Sequence, residues 1–211
     1  MTVARTARTR ERILDATERL IQERGYHGVG LEAVSAAAGV SRQALYDKFG
    51  SKGGLLRAMT ERVEERLGIY RTVGAVASIP DGLEKLAALC NLSRVSEPGV
   101  APFVRVVYAA RLDDPTAAEL WNDRMSARYI AFRHVVTRLA EEGRLRPGLT
   151  ITRATDMLWS ILNPLHFDNL VTSRGWTLDE YREHIEVMAR AALLGEPPPA
   201  VGPAAGSAAG A

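Results

Sequence analysis

Apolar residues recur at helical spacing along most of this chain, separated by short polar breaks. Ile13, Leu14, Ala16, Leu20 and Ile21 form a single stripe between Thr9 and Gly25, which predicts a helix capped by Thr9 and stopped by Gly25. Thr17 lies within that stripe and can turn its methyl inward. Leu31, Val34, Ala37 and Ala38 repeat the pattern over a shorter segment, and Leu45 and Phe49, four apart, mark the inner side of a third. Between the second and third segments, Gly39 can take the left-handed conformation that ends a helix, and Ser41 can cap the next one. The four residues from Ala38 to Ser41 suit the tight turn of a helix-turn-helix.

The remainder also reads as helical. Ser51 can cap a long helix carrying Leu55, Leu56, Met59, Val63, Leu67 and Tyr70 on one side, and a break follows near Ser78–Asp81. Asp81 can cap a segment with Leu83, Leu86, Ala87 and Cys90, while Pro98-Gly99 and Asp113-Asp114-Pro115 read as further punctuation. Phe103, Val104, Val106, Val107 and Tyr108 are apolar nearly all round, which marks a central position. A helix from Pro115 to about Glu142 is followed by helices over about Ile151 to Ser173 and Asp179 to Leu194. Pro164 falls inside the first of these, where it should kink the axis and free a backbone carbonyl. The expected fold is all-α: an N-terminal three-helix helix-turn-helix over 1–50, a larger helical body over 51–195, and a Pro-, Ala- and Gly-rich disordered tail over 196–211.

The chemistry concentrates on the outer side of the third segment. Arg42, Gln43, Tyr46 and Lys48 line a short helix whose back is apolar, the form that fits a DNA major groove. Arginine and glutamine can make bidentate contacts to guanine and adenine, and a small methyl can touch thymine. Upstream, Arg5, Arg8 and Arg10 precede the first acid, Glu11, as a basic arm suited to phosphates or a minor groove.

Residues from about 9 to 58 resemble the DNA-binding domain of the tetracycline-repressor (TetR) family of transcriptional regulators. The resemblance rests on Ile13-Leu14-Asp15-Ala16, Gly25-Tyr26, Ala38-Gly39-Val40-Ser41, Leu45-Tyr46, Phe49 and Ser51-Lys52 followed by Leu55-Leu56, about a quarter of the chain. Carried over position by position, it implies that Arg42, Gln43 and Ala44 reach base edges, that Tyr46 and Lys52 hold phosphates, and that Lys48 can do either. Two departures stand out. Gly30 occupies the position where the family usually has a capping Thr or Ser, and Ala44 one where it often has Thr or Ser. The resemblance further implies that 1–50 is a DNA-binding domain and that 51–195 is a ligand-binding and dimerisation domain, with a small-molecule pocket in the body and a homodimer formed by its last two long helices. Those helices carry Met157, Leu158, Ile161, Leu162 and Leu165, then Tyr181, Ile185, Met188, Ala192 and Leu193.

Composition narrows the classes. With 27 basic and 25 acidic residues the net charge is +2, so DNA affinity must come from a local patch. No apolar run is long enough to span a bilayer, no signal-peptide core follows the arginine-rich start, and a single cysteine fits a reducing, cytoplasmic setting. Cys90 reads as a small core residue. The four histidines have no metal-ligand spacing, and no phosphate loop or nucleophile motif is present, which argues against an enzyme, a metal and a cofactor. Phe103, Tyr108, Trp121, Met125, Tyr129, Trp159, Asn163, His166 and Phe167 are bulky or mixed-polarity residues on the central helices and are the candidate pocket, favouring a hydrophobic, aromatic effector. The expected function is a repressor that binds a palindromic operator as a homodimer and is released by that effector. A DNA-binding regulator without a small-molecule ligand, or an activator, are the alternatives.

Overall fold

The computed structural model describes residues 2–25 and 30–195, with side chains from residue 7 onward. Tyr26 and the expected disordered tail over 196–211 lie outside the described residues. Among the described residues ten α-helices follow one another: α1 Thr2–Arg24, α2 Leu31–Ala38, α3 Arg42–Phe49, α4 Lys52–Arg66, α5 Ile69–Ser78, α6 Gly82–Ala110, α7 Pro115–Glu141, α8 Ile151–Ile161, α9 Pro164–Phe167 and α10 Leu178–Leu193, with a π-helical turn at Asp168–Thr172 after α9. No strand occurs among the described residues.

Local chemistry sets most boundaries. Ser41 Oγ accepts from Ala44 N at the start of α3, and Ser51 Oγ accepts from Gly54 N at the start of α4. Asp81 caps α6 through Leu83 N and Glu84 N, and Thr177 with Glu180 forms a capping box on α10. Gly39 ends α2 at φ 62°, a conformation that costs an L side chain about 1 kcal/mol or more. Gly30 leaves the α2 N-terminus without a side-chain cap.

Four expectations need correcting. The first helix starts at Thr2, so Thr9 lies inside it and the basic arm is helical rather than a separate strap. The helix after Ser51 ends at Arg66, and Tyr70 belongs to α5 across the Leu67–Gly68 turn. Pro98 and Gly99 do not break the chain: Pro98 and Pro102 both lie within the 29-residue α6. Packing of α6 against α4, α5, α7, α9 and α10 outweighs the backbone hydrogen bonds those prolines remove. Pro164 does not kink a continuous helix. α8 stops at Ile161, Asn163 Oδ1 accepts from Leu165 N, and Pro164 takes the first position of α9, where a missing N–H costs nothing.

Two apolar cores result. The first joins Ile13, Leu14, Val34 and Leu45 of the three N-terminal helices to Leu55, Leu56 and Val63 of α4, Phe103 and Val106 of α6 and Leu120 of α7. The second, within the body, contains Leu86, Cys90, Val135, Val136, Leu158, Tyr181 and Ile185. The helix-turn-helix is therefore continuous with the body through the core around α4. Thr17 is fully buried in the first core, its hydroxyl donating to Ile13 O at 2.8 Å.

Candidate functional site

On α3, Leu45 is fully buried and Phe49 half-buried, which fixes the helix by its back. Arg42, Gln43, Tyr46 and Asp47 are exposed, and Ala44 and Lys48 are half-buried. Five of the six residues expected to meet DNA thus share one short helix, and Lys52 begins α4 beside it. The Gln43 amide donates from Nε2 to Asp47 Oδ1 at 2.7 Å. Held this way, Gln43 keeps its carbonyl oxygen and a second N–H, the pair an adenine edge requires. Asp47 was not among the residues expected to face DNA, although its i+4 spacing from Gln43 is visible in the sequence. Arg12 fastens α1 to the turn, donating to Ala38 O at 2.6 Å and Gly39 O at 3.2 Å. Arg8 and Arg10 are exposed on α1, and the Arg5 side chain lies outside the described residues.

Helix α4 runs from this face into the body and is tied at both ends. Arg62 pairs with Asp15 and Arg66 with Glu18, holding α4 to α1. Asp114, the cap of α7, accepts from Thr116 N and Ala117 N and also from Gly53 N at 2.8 Å. Only glycine permits that approach: a Cβ at residue 53 would overlap Asp114 and Thr116. Arg57 pairs with Asp123 at 3.3 Å further along the same two helices.

A cavity of about 220 Å³ lies between α4, α5, α6 and α7. Its walls are mostly apolar and include Val63, Leu89, Val100, Phe103, Trp121 and Met125. Three of its lining residues are charged: Glu64, Arg124 and Arg128. Arg124 Nε sits 2.7 Å from Glu64 Oε1, and the Tyr70 hydroxyl donates to Glu64 Oε2 at 3.0 Å. Burial pushes the Glu64 carboxyl above its ordinary range, against the opposing pull of Arg124 and the Tyr70 hydrogen bond. Arg128 donates to Glu97 Oε1 at 3.0 Å and Leu162 O at 2.7 Å. Burial likewise raises the fully buried Glu97, with Arg128 opposing.

Of the nine residues expected to form a pocket, Phe103, Trp121 and Met125 line this cavity. The other six lie elsewhere. Tyr108 packs edge-on against Trp121 at 4.9 Å, with Arg111 stacked 3.5 Å above its ring. Tyr129 reaches toward α8 and donates to Asp156 at 3.0 Å, while Trp159 is half-buried beside the second core. Asn163 is spent as the α9 cap, and Phe167 is buried edge-on to Tyr181. His166 Nδ1 lies 2.9 Å from Ile161 O. Two carbonyls at the break before Pro164, Ile161 O and Leu162 O, are thus met by His166 Nδ1 and Arg128. Glu64, Tyr70, Arg124 and Arg128 were missed. The last two were visible at three and seven residues past Trp121 on one helical face, whereas Tyr70 depended on the unforeseen turn before α5. Among the described residues no group of three or more His, Cys, Asp and Glu could hold a metal, and no helix is long and apolar enough to cross a membrane.

Residues 13–59 match the sequence profile of bacterial regulatory proteins, tetR family. An uncharacterized HTH-type transcriptional regulator of Mycobacterium tuberculosis is 40% identical over 86 residues, 41% of this chain and 42% of that protein. The match therefore spans less than half the length of that relative. The HTH-type transcriptional regulator SrpR of Pseudomonas putida is 27% identical over 207 residues, 93% of this chain and 90% of its own. A crystal structure of a transcriptional regulator from Saccharomonospora viridis in complex with choline superposes with a TM-score of 0.72 at 22% identity, covering 90% of this chain and all of that one; this likeness is one of fold.

Proposed function

This chain belongs, through its helix-turn-helix, to the tetR family of bacterial regulatory proteins, and from that premise we propose that it is a ligand-responsive repressor. It binds a palindromic operator as a homodimer and leaves it when a small hydrophobic molecule fills the cavity. It acts in the cytoplasm, where its operator lies. One observation carries the reading. Helix α4 begins beside the recognition helix α3 and ends as a wall of the cavity, contributing Thr60, Val63 and Glu64.

The division of labour on DNA follows from the exposed groups. Tyr46 and Lys52 hold phosphate oxygens and fix register without reading sequence. Arg42, Gln43 and Ala44 reach base edges, and Lys48 meets either. One eight-residue helix contacts too few base pairs for selectivity, so two copies read half-sites about 34 Å apart. The outer faces of α8 and α10 supply the pairing surface, with Val187 and Met188 exposed on α10.

The effector works by preferring one of two positions of α4. Filling the cavity moves the α4 wall, and α3 moves with it because both share the first core. The spacing of the two recognition helices then no longer matches successive major grooves. A coupling of about 1–3 kcal/mol lowers operator affinity about 5- to 150-fold. The Saccharomonospora viridis regulator of similar fold was crystallised in complex with choline, which supports a small-molecule ligand for this chain.

Selection of binding sites from random duplexes with the purified full chain tests the reading. A palindrome with half-sites one helical turn apart is expected, bound by two copies. A strictly monomeric protein, or one with no sequence preference at ordinary ionic strength, would refute it.

A further inference from the structure

The charges around the cavity decide what it can hold. Glu64, Arg124 and Arg128 are the charged side chains lining it among the described residues. Each has an opposite charge beside it. Both Glu64 oxygens are engaged, one by Arg124 at 2.7 Å and the other by the Tyr70 hydroxyl at 3.0 Å. Arg128, also in the wall, donates to Glu97 Oε1 and Leu162 O. The remaining walls are overwhelmingly apolar.

We propose that this cavity takes an uncharged, apolar molecule of one- or two-ring size, and that Arg124 and Glu64 set that selectivity by cancelling each other. The proposal rests on reading this cavity as the effector site. A cationic guest would have to share Glu64 with Arg124 while lying near a second guanidinium. An anionic guest would have to share Arg124 or Arg128 with its carboxylate, placing a second negative charge beside Glu64 or Glu97. Either arrangement sets two like charges against one partner in a mostly apolar wall, which is costly. A neutral guest disturbs neither pair and gains the burial of its surface. Arg124 is the deciding group, because Tyr70, Phe103 and Trp121 beside a free carboxylate would otherwise suit an organic cation. Size sets the upper bound: an apolar cavity of about 150 Å³ accommodates benzene. At about 220 Å³ this one admits a substituted ring or a small bicycle.

The test uses two molecules of nearly identical shape. Tert-butylbenzene and phenyltrimethylammonium differ in having a carbon or a positive nitrogen at the same position, and benzoate supplies the anion. Binding to the full chain is followed by calorimetry and by tryptophan fluorescence, since Trp121 lines the cavity. The wild-type chain should bind tert-butylbenzene at least about tenfold more tightly than either ion. Arg124→Gln should move the preference at least about tenfold toward phenyltrimethylammonium, and Glu64→Gln should move it by a similar factor toward benzoate. The double variant Arg124→Gln/Glu64→Gln leaves a neutral wall and should restore the wild-type order, which also answers the case of a single variant that folds poorly. Wild-type protein that binds either ion as tightly as tert-butylbenzene, or binds none of the three, overturns the proposal. So does an order of preference unmoved by the single variants. A chain that takes tert-butylbenzene selectively yet selects no DNA sequence would sink the regulator reading and leave this one standing.

Discussion

Asp114 joins the two parts of the molecule with one carboxylate, and its replacement has a cost that can be worked from the contacts. Oδ1 accepts from Thr116 N at 2.9 Å and Ala117 N at 3.2 Å, the N-cap of α7. Oδ2 accepts from Gly53 N at 2.8 Å, in the first turn of α4. Asp114→Ala loses the cap, at about 1 kcal/mol, and strands the partly buried Gly53 N–H, at about 1–3 kcal/mol. The expected loss of stability is about 2–4 kcal/mol. Asp114→Asn separates the two contributions. Its one carbonyl oxygen can still cap α7, but its NH2 group then faces the Gly53 N–H, donor against donor, so about 1–3 kcal/mol should be lost through the clamp alone. Urea unfolding followed by circular dichroism reads the difference. With a slope of about 3 kcal/mol per molar urea, the midpoint of Asp114→Asn should fall by up to about 1 M at unchanged slope. The same variant should narrow the gap between operator affinities with and without effector, because α4 loses its tie to the α7 N-terminus and keeps only Arg57–Asp123 and Glu64–Arg124 further along. A midpoint for Asp114→Asn equal to that of the wild type would show that Gly53 is not held from this side, and the proposed route from cavity to DNA would lose its anchor.

Three further outcomes can be checked directly. Tyr46→Phe should weaken binding to every duplex alike, whereas Gln43→Ala should change preference at one or two base pairs by about 1–3 kcal/mol each; Asp47→Ala should blunt the same base preference while raising affinity for unrelated DNA, and an unchanged selection profile for both Gln43→Ala and Asp47→Ala would remove the pair from the reading set. Burial pushes the Cys90 thiol up to about 12, so Ellman's reagent at pH 8 should label the unfolded chain and leave the native one untouched; rapid native labelling would contradict the buried placement. Asp81 is held below the ordinary carboxylate range chiefly by the Glu84 N–H, with Arg144 and the Leu83 N–H adding to the shift. Its folded value is the lower one, so its stabilisation is present above the unfolded pKa and disappears as pH falls through the folded value. Asp81→Asn should therefore show a shallower acid limb in a stability-against-pH profile, and an acid limb superimposable on the wild type would exclude that role.

The N-terminal reader was legible because its determinants are local. Gly39 and Ser41 fix the turn by backbone conformation and capping, and the four-residue spacing of Leu45 and Phe49 fixes which side of α3 faces out. Caps at Ser51 and Asp81 were likewise readable as single residues with a short-range partner, and the break at Asp114-Pro115 as punctuation. What failed depended on distant packing. Pro98 and Pro102 carry the local signature of a break, yet the helices packed around α6 hold it continuous. The aromatic residues of the central helices looked equivalent along the chain, but helix rotation and crossing sent Phe103, Trp121 and Met125 to the cavity and Phe167 to the second core. Pairs such as Glu64 with Arg124, or Gly53 with Asp114, join positions about 60 residues apart, and no spacing rule links them. The order of residues thus specified which segments are helical and which face of the reader is polar, because those depend on neighbours within a turn or two. Three-dimensional packing alone decided where the empty space lies, which charges are cancelled around it and how it touches the DNA-facing helix, because these depend on contacts between remote parts of the chain.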